Sequence, residues 1–196
     1  MVVGQGIRNV AKLVGEATEA STGQVPALAR TMLEVLTTQL GALQQQIRVL
    51  EAELLAWHRA QATSQRLATI PGIGPITATA IVATITNAAQ FRSAREFSAW
   101  IGLVPRQHSS GGKERLGSIS KRGDASLRRL LIHGARTALR WRKIRAIDGS
   151  SWVGRLLDRR PANVATVAIA NKTARIAWAV LVRGEPYHSP ATAHAA

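Results

Sequence analysis

Leu33, Leu36, Leu40, Leu43, Ile47, Leu50, Leu54 and Trp57 recur at alternating steps of three and four, the a/d repeat of a coiled coil. The spacing predicts one long helix ending near residue 60, with Pro26 in its first turn and Gly23 in the loop before it. Between the seam positions lie Gln44, Gln45, Gln46, Arg48, Glu51 and Glu53, a polar outer face. The seam has two candidate partners, Ile7, Val10, Ala11 and Val14 in the same chain, or a second copy. Residues 7–16 are too short to cover residues 33–57, so self-association through Leu33 to Trp57 is the expectation.

Beyond the seam, residues 67–81 place Pro71-Gly72-Ile73-Gly74-Pro75 between two helical patterns. This arrangement resembles a helix-hairpin-helix nucleic-acid-binding motif, in which a tight glycine turn and the amides opening the second helix face one phosphate. The alternative is a plain helical corner turned by glycine. Ala78, Ala80 and Ala83 are small enough for the second helix to pack closely on the first. Ser93 and Glu96 form a capping-box pair opening a short helix through Phe97, Trp100 and Ile101. Residues 102–123, with five glycines, read as a long loop with room for a short hairpin, and loops of that length are usually functional or disordered. Asp124 is a good N-cap for the next helix, whose predicted buried face is Leu127, Leu130, Leu131, Gly134, Ala138 and Trp141. A break at residues 147–151 precedes a short basic segment ending at Pro161. A last helix is expected over residues 163–182, before a frayed tail. The fold class is therefore mainly α, a long coiled-coil helix followed by a compact helical domain containing the helix-hairpin-helix. The expected parts are residues 1–60, linker and coiled coil, residues 61–145, the compact domain, and residues 146–196, a basic segment with the last helix and tail.

Charge changes the picture. The 196 residues carry a formal net charge of +15 and a pI near 11.8. The first ninety residues are almost neutral, whereas residues 91–160 hold 17 basic and five acidic side chains. Arg122, Arg129, Arg136, Arg140 and Lys143 step by 7, 7, 4 and 3, a basic stripe along the helix after Asp124 and its lead-in. A polyanion is the natural counterpart, and among polyanions a nucleic acid, DNA or RNA, rather than a lipid surface. No cysteine is present, excluding disulfides, thiolate zinc sites and cysteine nucleophiles. No run approaches the 18 or so apolar residues a membrane span requires, and the N-terminus lacks a signal-peptide pattern, so a cytoplasmic location without membrane contact is expected.

Chemistry has few candidates. His108-Ser109-Ser110-Gly111-Gly112-Lys113 lies between Arg106 and Arg115. A serine in a glycine-flanked, cationic loop can approach a phosphate and be assisted by nearby charge, although composition alone favours an ordinary phosphate-binding loop. Beyond Glu96 the acids Glu114, Asp124, Asp148, Asp158 and Glu185 make no ligand-like cluster, so no metal site and no cofactor are expected in this chain. His133 reads as a packing residue, and the five tryptophans mostly as core anchors, with Trp152 near Arg155 a weaker candidate for stacking on a base.

The ordered set Ile70-Pro71-Gly72-Ile73-Gly74-Pro75, Phe91-Arg92-Ser93, Gly102-Leu103-Val104-Pro105-Arg106, His108 to Lys113, Ser120-Lys121-Arg122-Gly123-Asp124 and Leu127-Arg128-Arg129-Leu130-Leu131 resembles the C-terminal half of insertion-sequence transposases. The family is the one-ten type with its eleven-eleven branch, related to the Piv site-specific invertase. The resemblance implies a DNA recombinase guided by a structured noncoding RNA. Its N-terminal RuvC-like domain carries an Asp-Glu-Asp-Asp set that binds magnesium, and a C-terminal serine becomes covalently linked to DNA. That serine carries over to Ser110, with Ser109 as the fallback. DNA contacts are expected at Gly72, Ile73, Gly74, Arg106, Lys113, Arg115, Lys121, Arg122, Arg129, Arg136 and Arg140. No RuvC-like domain lies within this sequence, and Met1 to Gly6 reads as a start just inside the linker. Three roles follow from the resemblance: the serine-bearing part of a transposase, a non-catalytic DNA- or RNA-binding and dimerising fragment, or an RNA-binding module.

Overall fold

The computed structural model describes residue 15 and residues 26–107, 116–144 and 152–188. Its elements in chain order are α1 (Ala27–Ala60), α2 (Ala62–Ala68), α3 (Pro75–Thr84), a 3-10 turn (Ala88–Gln90), α4 (Ala94–Trp100), β1 (Pro105–Gln107), β2 (Leu116–Ile119), α5 (Ala125–Ile144), α6 (Trp152–Arg159) and α7 (Ala162–Arg183). The chain is mainly α. The two strands pair antiparallel, Pro105 opposite Ile119 and Gln107 opposite Leu116, with an irregularity between the pairs. They are the short hairpin for which residues 102–123 had room.

The chain divides into two compact units, residues 1–53 and 54–196. In the first unit α1 is a regular helix over residues 27–53 with none of its residues buried. Thr31, Thr37 and Thr38 bond back to carbonyls four residues earlier, and Arg48 donates to Gln45. The seam is visible as exposed apolar surface, Leu36, Leu43, Ile47 at 54% and Leu50 at 63% exposure among it.

In the second unit α1 ends at Ala60, where Gln61 takes an extended conformation before α2 begins. The His58 imidazole pairs with the fully buried Ser64 hydroxyl at 2.7 Å, bracing this corner. The core is assembled on α7. Ala165, Ala170, Ala174 and Ala177 are fully buried along it, and such small side chains let α2, α4, α5, α6 and the 3-10 turn all pack against one helix. Pro161 precedes its first turn, and Gly184, at φ 72° in the left-handed region, ends it by donating to the Val180 carbonyl. By length and composition α7 could cross a membrane, contrary to the expectation that no run approaches that size. Its apolar face is nevertheless the centre of this core, together with Leu67, Ile81, Phe97, Ile101, Leu127 and Leu131.

Ser93 accepts the Glu96 amide and Glu96 accepts the Arg92 amide, one position before the residue a standard capping box would use. Phe91, Phe97 and Trp100 form an aromatic cluster with centroids 5.1 to 6.4 Å apart. On α3 the buried positions are Thr77, Ala78, Thr79 and Ile81. Ala83 is exposed and takes no part in the packing expected of it. The basic segment before Pro161 is itself a helix, α6, with Val153 and Gly154 buried.

The turn joining α2 and α3 meets α5 backbone to backbone. Gly72 has φ 91°, and a Cβ there would lie 2.9 Å from the Gly134 carbonyl oxygen. A Cβ at Gly134 would overlap the Gly72 carbonyl oxygen. Gly134→Ala is therefore expected to cost at least about 1–3 kcal/mol in urea unfolding, as overpacking does. Gly41→Ala, a helix-interior site with nothing within 4 Å, should instead stabilise by roughly 0.5–1 kcal/mol. Equal unfolding midpoints for Gly134→Ala and the parent would show that the two backbones are not held together.

Candidate nucleic-acid interface

Helix α5 sorts its side chains by a four-residue step. Leu127, Leu131, Ala135 and Leu139 are buried, while Leu130, Gly134 and Ala138 are only half-buried. The buried face is thus rotated from the one the sequence suggested; α5 packs on α7 and α3 and meets the Gly72 turn at Gly134. Arg129, Arg136 and Arg140 are all exposed. At 100° per residue they lie roughly 140° around the helix from the middle of the buried row. None of the three has an ion-pair partner among the described residues. Arg129 Nε makes only a long 3.4 Å bond to the Ala125 carbonyl in its own helix. His133 is exposed and not a packing residue. It lies between this basic face and the side that meets the Gly72 turn.

The helix start is held in place. Asp124 Oδ1 accepts the Ser126 and Leu127 amides, each at 2.8 Å, the N-cap expected of it. Gly123, at φ 79°, passes so close to the Trp100 carbonyl that no side chain fits. Arg122 and Lys121 are exposed just before it. Lys121 has φ 56°, the one non-glycine residue with positive φ among the described residues, a conformation costly for a side chain with a Cβ. Its amide donates to Gly102, and the Ser120 amide donates to Val104. Arg106 is exposed and donates from Nη2 to the Ser120 carbonyl at 3.2 Å. The hairpin therefore gathers Arg106, Lys121 and Arg122 at the start of α5.

Arg128 belongs to a different class from its neighbour. Its Nη1 donates to the Ile101 carbonyl at 2.9 Å and to the Arg122 carbonyl at 3.2 Å. It ties α4, the segment carrying Arg122, and α5 together. Charge alone gave no sign of this. The helical angle could have, since Arg128 falls beside the buried row.

The glycine turn contributes unequally. The Ile73 side chain is 4% exposed and packs in the core, and its amide donates to the Ile70 carbonyl, so neither group faces a ligand. Gly74 is exposed at the N-cap of α3, with Pro75 following it and no side chain capping the helix. Gly72 is occupied against Gly134. Because Gly74 and Arg136 each lie two residues from that contact, the opening of α3 and the middle of the basic helix belong to neighbouring parts of the unit.

His108, Ser109, Ser110, Lys113 and Arg115 lie outside the described residues, as do the side chains of Trp141 and Lys143. Trp57, Trp100 and Trp152 are substantially exposed and are not the enclosed anchors expected. Trp178 fits that expectation better, donating from Nε1 to the Ala88 carbonyl. Among the described residues the magnesium that the resemblance implies for another domain finds no ligand set. Glu96 and Asp124 are engaged as helix caps, and no group of three metal-ligating side chains occurs among the described residues.

Residues 64–148 match the model of the transposase IS116/IS110/IS902 family. A probable family 20 transposase of Pseudomonas aeruginosa is 51% identical over 163 residues, 83% of this chain and 48% of that protein. The transposase for insertion sequence element IS1111A of Coxiella burnetii is 47% identical over 171 residues, 87% of this chain and 46% of the relative. The transposase for insertion sequence element IS1328 of Yersinia enterocolitica is 41% identical over 177 residues, 90% and 53% of the two chains. The chain spans about half the length of the curated relatives it matches.

The adjacent arginines should separate on substitution. Arg128→Ala leaves two carbonyls without their donor and is expected to lose about 1–3 kcal/mol in denaturant unfolding. Arg129→Ala, on the open face, should stay within about 0.5 kcal/mol of the parent. Equal losses for both would contradict the division between a bracing and a contacting arginine.

Proposed function

Because this chain belongs to the IS116/IS110/IS902 transposase family, matching the C-terminal part of longer members, we propose that it is the DNA-binding part of an insertion-sequence transposase. In this reading it supplies a serine nucleophile to a site whose magnesium-binding carboxylates come from another domain. The observation that carries the proposal is the exposed row Arg129, Arg136 and Arg140, without an ion-pair partner among the described residues, on the far side of α5 from its buried leucines. Arg106, Lys121 and Arg122 extend it at the hairpin, Gly74 adds the uncapped start of α3, and Lys113 and Arg115 flank the serine loop in sequence. Such contacts bind the phosphate backbone without reading bases. The same cations suit RNA, so a guide-type RNA is the partner the reading assigns to sequence selection.

Ser110, or Ser109 in its place, would attack a phosphodiester. An Oγ–phosphorus bond forms, the bond to one deoxyribose oxygen breaks, and the serine proton is finally carried by the departing hydroxyl. Cations around the serine would hold the developing negative charge.

A second reading, a non-catalytic binding and self-associating fragment, is favoured by α1. A helix with no buried residue and a continuous apolar seam gains most by pairing with a second copy.

The binding claim predicts that Arg129→Ala, Arg136→Ala and Arg140→Ala together weaken duplex binding and flatten its log–log salt dependence by up to about 0.9 per phosphate released. An unchanged slope in fluorescence anisotropy removes this face from the interface. In the chain with its arginines intact, combined with a partner carrying the acidic domain, Ser110→Ala should abolish strand joining while binding persists. Joining that survives both Ser109→Ala and Ser110→Ala refutes the nucleophile and leaves the binding fragment. For self-association, Leu40→Asp with Ile47→Asp should lower the sedimentation mass to that of one chain, and retention of the parent's oligomeric mass would sink the seam.

A further inference from the structure

A second feature of the compact unit has no α5 residue among its described lining. The hairpin, the first residue of α4, Trp152 of α6 and one side of α7 line a cleft of about 970 Å³, large enough for a small-molecule-sized group. Its wall is mostly apolar, with Val167 and Ile176 from α7. The charged residues among the described ones in its lining are Lys172 and Arg175, three apart on α7 and both exposed. Asn171, also in the lining, is tied to the Leu103 carbonyl and so fixes the wall to the hairpin. Trp152 is 38% exposed, and Lys172 Nζ stands 4.4 Å from the centroid of its ring.

We propose that this cleft receives an unpaired nucleobase from a nucleic-acid strand, which replaces the Lys172 ammonium over the Trp152 ring, and that the displaced Lys172 and Arg175 hold the adjoining phosphate. The charge of the lining selects the occupant. Among the described lining residues both charged side chains are cations and none is a carboxylate, so an apolar ligand alone leaves two positive groups unmatched at its edge. An acidic ligand without a flat apolar part leaves the cleft wall and indole uncovered. A nucleotide presents both halves in one unit, a π-face for the indole and a phosphate for the cations. A base stacked and paired inside a duplex presents no free face, so the occupant is single-stranded or extruded. The proposal goes beyond the reading above by adding a second nucleic-acid site on different helices. It relies on that reading only for the presence of a strand to bind.

The test uses the full 196-residue chain with a fluorescein-labelled oligothymidylate as the unpaired probe and a random-sequence duplex as the control. Trp152→Ala should weaken oligothymidylate binding about tenfold, the scale of one missing base–aromatic stack, with the duplex constant changed less than twofold. Trp152→Phe should retain most of the affinity. Lys172→Gln with Arg175→Gln should weaken the oligothymidylate complex and reduce its salt slope by about 0.7 for each phosphate no longer held. Both substituted positions are exposed, so this variant decides the matter if Trp152→Ala fails to fold. Parental oligothymidylate affinity in folded Trp152→Ala and in the double glutamine variant overturns the proposal. A changed sedimentation mass with unchanged oligothymidylate affinity also overturns it, and makes the cleft a contact between protein chains. The Arg129, Arg136 and Arg140 triple variant separates the two claims, since its duplex loss tests the α5 face and a persisting Trp152 effect tests the cleft.

Discussion

The contact between the Gly72 and Gly134 backbones is the constraint on which the candidate interface depends. Neither position has room for a Cβ, so the turn between α2 and α3 rests on α5 with no side chain as spacer. Close-packed interiors transmit such displacements to their neighbours. A methyl group here would push the opening of α3 away from the helix that carries Arg129, Arg136 and Arg140. Gly72 therefore has a role the turn motif does not advertise. Its left-handed backbone makes the turn, and its missing side chain lets that turn dock.

Charge on α5 works against the fold that displays it. Arg136 and Arg140 are four apart, and a like-charge pair at that spacing costs an isolated helix about 0.2–0.5 kcal/mol. Burying Leu127, Leu131 and Leu139 contributes about 1.5–3 kcal/mol for each side chain taken from water. Packing wins by a wide margin, so the helix tolerates a row of cations that has no ion-pair partner among the described residues. The alanines of α7 make that packing possible by allowing several elements to reach one helix. The cap at Asp124 and the two hydrogen bonds from Arg128 then fix where the row begins.

Much of this was legible in the sequence, for reasons that are local. Helix α1 shows its period over many turns, Asp124 and Ser93 act on amides two or three residues away, and Pro161 and Gly184 bracket α7. What escaped was decided by neighbours distant in sequence. The buried face of α5 depends on the angles at which α7 and the Gly72 turn approach, so Leu130 and Ala138 ended half-exposed. Arg128 and Arg129 are the same residue type one position apart, yet only the first points at the carbonyls of Ile101 and Arg122. His133 sits in a helix beside a glycine, which suggested packing, but the close contact is made by the glycine backbone and leaves the imidazole outside. Helix α6 was hidden because eight residues give barely two turns of pattern. Ile73 matched a turn motif by type, whereas its burial and its bond to Ile70 make it a core residue.

Helix α1 poses the remaining energetic question. Its 34 residues include no buried one, so its hydrogen bonds and side-chain staples must offset backbone ordering of about 1–2 kcal/mol per residue with little burial to help. Pairing changes that balance, since each exposed seam leucine or isoleucine fully covered contributes about 1.5–3 kcal/mol. Leu36, Leu43, Ile47 and Leu50 alone then outweigh the bonds from Thr31, Thr37 and Thr38 that now brace the helix. Under the proposed self-association, helix formation and assembly are one equilibrium, so the stability of α1 rises with protein concentration. The compact unit has its own core around α7 and does not share that dependence. On that proposal the number of copies sets the order of α1 while the core around α7 keeps the α5 face assembled.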